Sequence, residues 1–358
     1  MNDSKKPERP QTVLVTGGAG FIGSNYIKYL TRNHPDVNIL ILDKITYAGN
    51  LDNLCALQHH SRYHFMLGDI CDRELVDSIF TNYDIQSIVN FAAESHVDRS
   101  IEDPEIFIRT NIIGTFNLLN IARKHWSNGG TFRPGKKFIQ VSTDEVYGSL
   151  GNTGYFTESS QIDPHNPYSA SKAGADLLVK SYFDTYRMPI NITRCCNNYG
   201  PYQFPEKLIP LIISKALRKE SLPIHGDGLN IRDWLYVEDH CSGIELVRSR
   251  GRDGEVYNIG GNNEMKIIEI VAMILEYLHH NCYEGINDGL IQFVQDRKGQ
   301  DRRYAIDSTK IRKELGWSPQ TTFIEGIHKT IEWYLRNREW MEKIKISPYL
   351  NNRMKVVG

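Results

Sequence analysis

A run of β-forming residues, Thr12-Val13-Leu14-Val15-Thr16, stops at Gly17-Gly18-Ala19-Gly20-Phe21-Ile22-Gly23, and a helical pattern through Tyr26-Ile27-Lys28-Tyr29-Leu30 follows. Few backbones accept that order. A strand that turns into a helix so quickly needs glycine where the chain bends (Gly17), where backbone must approach a ligand (Gly20) and where helix packs on strand (Gly23). The helix start then offers N–H groups and a partial positive charge to a pyrophosphate. A second β-type run, Asn38-Ile39-Leu40-Ile41-Leu42-Asp43, ends on an acid 20 residues past Gly23. A carboxylate there accepts hydrogen bonds from a ribose diol and repels a 2′-phosphate. NAD is therefore expected over NADP, with the adjacent Lys44 softening the preference. Glycine-rich turns also occur without a ligand; the flanking strand, helix and acid are what point to a dinucleotide.

Tyr63-His64-Phe65-Met66-Leu67, Ile88-Val89-Asn90-Phe91-Ala92 and Lys137-Phe138-Ile139-Gln140-Val141-Ser142 continue the series between amphipathic stretches. Strands apolar on both faces and separated by helices imply a parallel sheet covered on both sides, a doubly wound α/β Rossmann architecture. Asp69-Ile70, after the third run, is placed either to meet an adenine or to cap the next helix. From about Pro201 the texture changes to loops rich in Gly and charge, such as Gly226-Asp227-Gly228 and Asp296-Arg297-Lys298-Gly299. A chain of 358 residues is expected to form two domains. We place a tail at 1–11, an NAD-binding domain with the catalytic residues at 12–200, and a smaller C-terminal α/β substrate-binding lobe at 201–345. Segments such as 230–262 return to the first domain, with Val256-Tyr257-Asn258-Ile259-Gly260 rejoining a sheet, and 346–358 form a second tail.

Composition narrows the class. Forty-two Lys and Arg against 43 Asp and Glu give a net charge of −1, which argues against nucleic-acid binding and against a polybasic membrane surface. No apolar run approaches the roughly 20 residues needed to span a bilayer, and the polar start MNDSKKPERPQ is unlike a secretory signal. The six cysteines (Cys55, Cys71, Cys195, Cys196, Cys241, Cys282) include no CxxC pair and no His at ligand spacing. Neither disulfides nor a metal site is expected, and reduced thiols suit a cytoplasmic protein. His59-His60 and His279-His280 read as helix-end or loop surface.

Tyr168-Ser169-Ala170-Ser171-Lys172 puts a tyrosine and a lysine at i and i+4, on one helix face. A phenol of pKa near 10 is a poor base at neutral pH, and a neighbouring ammonium and a cationic nicotinamide both favour phenolate; a shift of ~3 units is about 4 kcal/mol. With the glycine run and Asp43, this pair is similar to the extended short-chain dehydrogenase/reductase family, over a span from about Thr12 to Trp340. The resemblance implies a nucleotide-sugar substrate and a tightly held NAD that is regenerated each turnover. It extends the cofactor contacts to Phe21, Ile22, Lys44, Thr46, Asp69, Ile70, Ala92, Ala93, Thr110 and Asn198. It also implies a homodimer through paired helices, one spanning Tyr168 to Tyr186.

Within that family, Val141-Ser142-Thr143-Asp144-Glu145-Val146-Tyr147-Gly148 resembles the 4,6-dehydratases. Two adjacent carboxyls imply proton traffic beyond hydride transfer, as in eliminating water, whereas the epimerases of the family carry Ser/Thr followed by small residues. Neighbours in a regular strand face opposite ways, so Asp144 and Glu145 reach one sugar only if the backbone bends there. The resemblance implies dTDP-glucose as substrate, with Tyr168 taking the 4-hydroxyl proton, Glu145 the C5 proton, and Asp144 protonating the departing 6-hydroxyl. Lys172 is expected to lower the Tyr168 pKa and hold the nicotinamide ribose, and Thr143 to hydrogen-bond the 4-oxygen. Asp144 must hold a proton near neutral pH, so a raised pKa, coupled to Glu145, is expected. A diphosphate calls for arginine, and Arg232 and Arg297 are the candidates, with Lys298 and Arg302 assigned to a solvated charged loop. Ser95, Asn197, Lys207, Leu208, Pro223, His225 and Gln300 complete the expected substrate contacts. Gln300 stands where the family commonly has His, and Ile267 where Asn is frequent, so thymidine rather than uridine is carried by the resemblance. The competing readings are a UDP-sugar 4,6-dehydratase, a nucleotide-sugar 4-epimerase and a non-enzymatic NAD or sugar-nucleotide sensor.

Overall fold

The computed structural model describes residues 11–57, 60–281, 285–296 and 301–346. The chain opens with β1 (Thr12–Thr16), α1 (Phe21–Asn33), β2 (Asn38–Asp43), β3 (Tyr63–Leu67), α2 (Arg73–Asn82) and β4 (Ser87–Asn90). Next come α3 (Val97–Glu102), α4 (Pro104–Phe107), a π-type turn over Ile108–Gly114, α5 (Thr115–Trp126) and a small hairpin, β5 (Ser127–Asn128) and β6 (Thr131–Phe132). β7 (Lys137–Thr143), α6 (Pro167–Tyr186), β8 (Ile190–Cys195), β9 (Asn197–Tyr199), α7 (Leu208–Leu217) and β10 (Leu222–His225) follow. The remainder is β11 (Ile231–Tyr236), α8 (Val237–Arg250), β12 (Val256–Ile259), β13 (Glu264–Lys266), α9 (Ile267–Asn281), β14 (Ile291–Val294), α10 (Thr309–Leu315), α11 (Phe323–Arg336) and α12 (Arg338–Ile346).

Seven strands pair in parallel in the order β12-β8-β7-β4-β1-β2-β3. Alternate residues of one strand serve opposite faces. Val13 and Val15 of β1 pack with Tyr26, Ile27 and Leu30 of α1 and Ile244 and Val247 of α8, while Leu14 packs with Val76 of α2, Leu118 of α5 and Val179 of α6. The expectation that every strand is covered on both faces needs one correction. β3 is an edge strand with a single neighbour, and Phe65 and Leu67 are 39% and 69% exposed. The chain runs from β1 outward to β2 and β3, then crosses to β4 on the other side of β1, and the crevice at that reversal, at the carboxyl ends of the strands, is where open α/β sheets hold ligands.

The smaller lobe has its own core of Ile212, Ile213, Ile274, Leu275, Ile327 and Ile331, contributed by α7, α9 and α11. It carries the parallel pair β10-β14 and the three-stranded sheet β13-β11-β9. Within 230–262 only α8 and β12 join the large sheet, whereas β11 pairs with β9 and β13. Ile311 of α10 and Trp317 also return to the core on the large sheet, so the two units interleave. Among the described residues no helix is long and apolar enough to cross a membrane. The expected tails at 1–11 and 346–358 fall almost wholly outside the described residues, as do His59 and Cys282.

Candidate active site

A cleft crosses the carboxyl ends of the central strands, lined by Gly17, Gly20, Gly23, Asp43, Tyr168 and Lys172. The three glycines do different work. Gly17 has φ +68°, and a Cβ there would sit 2.6 Å from the Ala92 nitrogen; a Cβ on Gly23 would fall 2.3 Å from the Gly17 carbonyl oxygen. Gly20 is extended, at φ −77°, and its added Cβ would meet only the Gly17 oxygen, at 3.3 Å. What glycine preserves at position 20 is therefore open cleft. α1 starts there without a side-chain cap, leaving its first-turn N–H groups to an anion. This cradle fits a dinucleotide diphosphate.

Asp43 accepts from Ala19 N (2.9 Å) and Ile45 N (2.8 Å), so its carboxylate braces the glycine loop as well as lining the cleft. Lys44 Nζ donates to Thr110 Oγ1 at 3.1 Å and lies 3.6 Å from Asp69 and 3.8 Å from Glu94. Of the two readings of Asp69, the structure favours the cleft. α2 is capped by Asp72, which accepts from Leu75 N, and Asp69 lines the cavity beside Ile70. Phe21, Ile22, Thr46, Ala92, Ala93 and Asn198 line the same space.

α6 begins at a capping box, in which the Asn166 side chain accepts from Ser169 N while the Ser169 hydroxyl accepts from Asn166 N, and Pro167 fixes the first turn. Asp176 anchors the helix to the sheet, accepting from Arg194 Nε at 2.9 Å. Tyr168 and Lys172 are both buried on the face toward the cleft. Lys172 Nζ donates to the Val141 carbonyl oxygen at 2.7 Å, and burial lowers its pKa. Burial and then the Glu145 carboxylate push the Tyr168 phenol well above its ordinary value. Desolvation of the phenolate is the largest of these causes.

β7 ends at Thr143, and the next four residues, Asp144–Tyr147, form a 3₁₀ turn. Thr143 Oγ1 accepts from Glu145 N at 3.2 Å and donates to Asp144 Oδ1 at 3.3 Å. This bend brings both carboxyls to one cleft, as a regular strand would not. Asp144 Oδ2 is buried with no hydrogen-bond partner, and burial, then Glu145, raise the Asp144 pKa well above the carboxylate range. Burial also raises Glu145, against the pull of Arg232 and Lys207.

A second cleft continues from the first, and Glu145, Asn197 and Asn198 line both. Ser95, Lys207, Leu208, Pro223, His225 and Arg232 are placed there, as is Ile267. Lys207 Nζ donates to the Ser95 carbonyl oxygen, and the Arg232 guanidinium donates to the carbonyls of Ile231 (2.7 Å) and Asp301 (2.8 Å). Arg297 and Gln300 lie outside the described residues, as does Lys298. Sequence reading overlooked Tyr304, whose ring lies 4.4 Å from the Arg232 guanidinium and whose hydroxyl bonds Asp301. No spacing signals it. It also passed over Glu206, which directly precedes the expected Lys207 and lines both clefts. Among the described residues no group of His, Cys, Asp or Glu could hold a metal, and the five described cysteines are free.

The sequence pattern of the family described as GDP-mannose 4,6 dehydratase matches residues 14–330. The dTDP-glucose 4,6-dehydratase of Xanthomonas campestris pv. campestris (strain B100) is 49% identical over 347 residues, covering 96% of this chain and 98% of that protein. The crystal structure of dTDP-glucose 4,6-dehydratase from Bacillus anthracis in complex with NAD is similar with a TM-score of 0.85 at 47% identity, covering 94% of this chain and all of that one. That of Streptomyces venezuelae dTDP-glucose 4,6-dehydratase, with NAD and dTDP bound, is similar with a TM-score of 0.86 at 45% identity, covering 94% and 100%.

Proposed function

The chain belongs to the dTDP-glucose 4,6-dehydratase family, and from that premise we propose that it converts dTDP-glucose to dTDP-4-keto-6-deoxyglucose. The observation that carries the reading is the bend after Thr143, which presents two carboxyls beside Tyr168 and Lys172. Epimerisation at C4 moves no proton at C5 or C6 and has no use for such a pair. A sensor has use for neither carboxyl nor phenol.

When bound, NAD supplies the hydride acceptor, returns the hydride to C6, and adds a positive charge that favours the phenolate. Tyr168 takes the proton of the sugar 4-hydroxyl as C4 becomes a ketone, and Thr143 hydrogen-bonds the 4-oxygen. The ketone acidifies the C5 hydrogen, and Glu145 removes it as a proton. Asp144, kept protonated by burial and by its neighbour's charge, gives its proton to the departing 6-hydroxyl; Glu145 returns its proton to C5 as C6 takes up the hydride, and the proton that Tyr168 took from the 4-hydroxyl is the one left to restore Asp144. Lys172 holds the ribose. Lys207 and Arg232 serve the nucleotide half in the second cleft, and we assign Arg297 and Gln300 to the same end of the substrate.

Two larger assignments accompany this reading. We propose that the unit at 12–200 binds NAD and the lobe at 201–345 seats the nucleotide sugar. We also propose a homodimer: Ile113 (49% exposed), Phe116 (42%) and Leu177 (60%) leave an apolar surface on the π-type turn, α5 and α6, the pair of adjacent helices suited to pack on a second copy. Free thiols suit a reducing, cytoplasmic setting. The decisive experiment is mass spectrometry after incubation with dTDP-glucose, with UDP-glucose alongside. Loss of one water from dTDP-glucose alone is expected. Loss from UDP-glucose alone would overturn the nucleotide, and an isobaric 4-epimer would overturn the role of the carboxyl pair.

A further inference from the structure

His240 of α8 is fully buried and lines neither cleft. Its Nδ1 lies 2.8 Å from Asn198 Oδ1. The amide itself sets the direction of that bond. Asn198 Nδ2 donates to the Cys196 carbonyl oxygen at 2.9 Å, so the oxygen faces the imidazole and Nδ1 carries the proton. Nε2 is then a bare lone pair, and it is the ring atom with no partner. Burial holds the imidazole neutral, with its pKa lowered to about 3. The Asn198 backbone is held as well, paired with Leu235 in β9-β11 and with its carbonyl accepting from Gln203 Nε2 at 2.9 Å.

An asparagine amide has one oxygen and two N–H bonds. Here the oxygen is taken by His240 and one N–H by Cys196; the side chain also reaches the Cys195 thiol, a weak acceptor that lines the first cleft with it, so the second N–H stays on the side of the clefts that Asn198 lines. Without His240 the amide can turn over and present its carbonyl instead, which repels the oxygens of a diphosphate and gives a ribose oxygen no donor. We propose that His240 is a positioning residue that locks the Asn198 amide so that its second N–H, beside the weakly accepting Cys195 thiol, is a donor to an oxygen of the bound dinucleotide. The proposal rests on the reading of the first cleft as an NAD site. It assigns to α8, on the outer layer of the fold, a part in holding a cofactor it does not touch.

The test uses the full chain and measures NAD itself: the amount released by acid from the purified protein, and the Kd from titration. His240→Leu keeps bulk but has no donor, whereas His240→Asn places an amide N–H near the position of Nδ1. Leu is expected to weaken NAD binding about tenfold and Asn no more than about threefold. In an Asn198→Ala background, His240→Leu should add nothing further. Asn198→Asp, which still accepts from His240 but offers the cleft an oxygen, should weaken NAD at least about tenfold, and it answers the question even where a His240 variant does not fold. Equal NAD retention by the Leu and Asn variants, an undiminished effect of Leu without Asn198, or wild-type affinity in Asn198→Asp would each overturn the proposal. Those outcomes leave the dehydratase reading standing if the unsubstituted chain binds NAD and releases water from dTDP-glucose. If it does neither, that reading falls first.

Discussion

Gly20 and Gly23 are three residues apart, one at the N-cap of α1 and one in its first turn, and alanine at each should fail in opposite ways. At position 20 the backbone is extended, a conformation any residue adopts, and the new methyl meets nothing nearer than the Gly17 oxygen at 3.3 Å. The Gly17 carbonyl need give by only a few tenths of an ångström, so the fold should lose about 1 kcal/mol, the low end of overpacking. The methyl instead occupies the cradle at the start of α1, and it keeps an anion from the first-turn N–H groups. Two charge-assisted hydrogen bonds, at about 1.5–2 kcal/mol each, amount to about 3–4 kcal/mol, or roughly 10²–10³-fold in NAD affinity. At position 23 the methyl would lie 2.3 Å from the Gly17 oxygen and 2.9 Å from the Gly18 Cα, both backbone atoms that move only if α1 shifts against β1. Overpacking of that kind costs about 1–3 kcal/mol, a fall in Tm of several degrees. The assays are NAD titration and thermal melting of the apo forms. Gly20→Ala binding NAD within threefold of the parent, or melting lower than Gly23→Ala, would refute the division of labour drawn here.

Glu145→Gln should still oxidise the sugar, giving up to one NADH absorbance per site, yet release water about 10²–10⁴-fold more slowly; full dehydratase turnover would remove Glu145 from the C5 step. Tyr168→Phe should lose the 340 nm signal as well, with kcat down by a similar or larger factor. Asp144→Asn should abolish turnover but stabilise the fold at pH 7. The Asp144 pKa is raised on folding, so above the unfolded value of 3.8 the unfolded chain releases a proton that the folded one keeps, and stability falls with rising pH through that window. The Tm advantage of Asn should therefore shrink as the pH is lowered toward 4. Leu177→Glu, on the exposed face of α6, should turn a dimer into a monomer by light scattering while leaving NAD bound.

Local pattern carried the dinucleotide fold because its signals are short in range. Alternation in Val13-Leu14-Val15, glycines at a strand-to-helix turn and an acid ending the next strand all act on backbone within a few residues, and each reappears where periodicity put it. Tyr168 and Lys172 share a face for the same reason, the pitch of one helix. Other features depend on what else comes near. The edge position of β3, which leaves Leu67 in solvent, follows from strand order, and no window of sequence contains strand order. Asp144 and Glu145 converge because Thr143 closes a turn on them, and the Tyr168 phenol is raised because neighbouring elements strip it of water. Tyr304 finds Arg232 across 72 positions of chain, and His240 finds Asn198 across 42, through contacts that exist only once distant elements have packed. The chain's own sequence thus determines which backbone forms and which chemical groups it carries. Burial and long-range contact, which depend on all the elements at once, decide the charge each group holds and the direction in which it points.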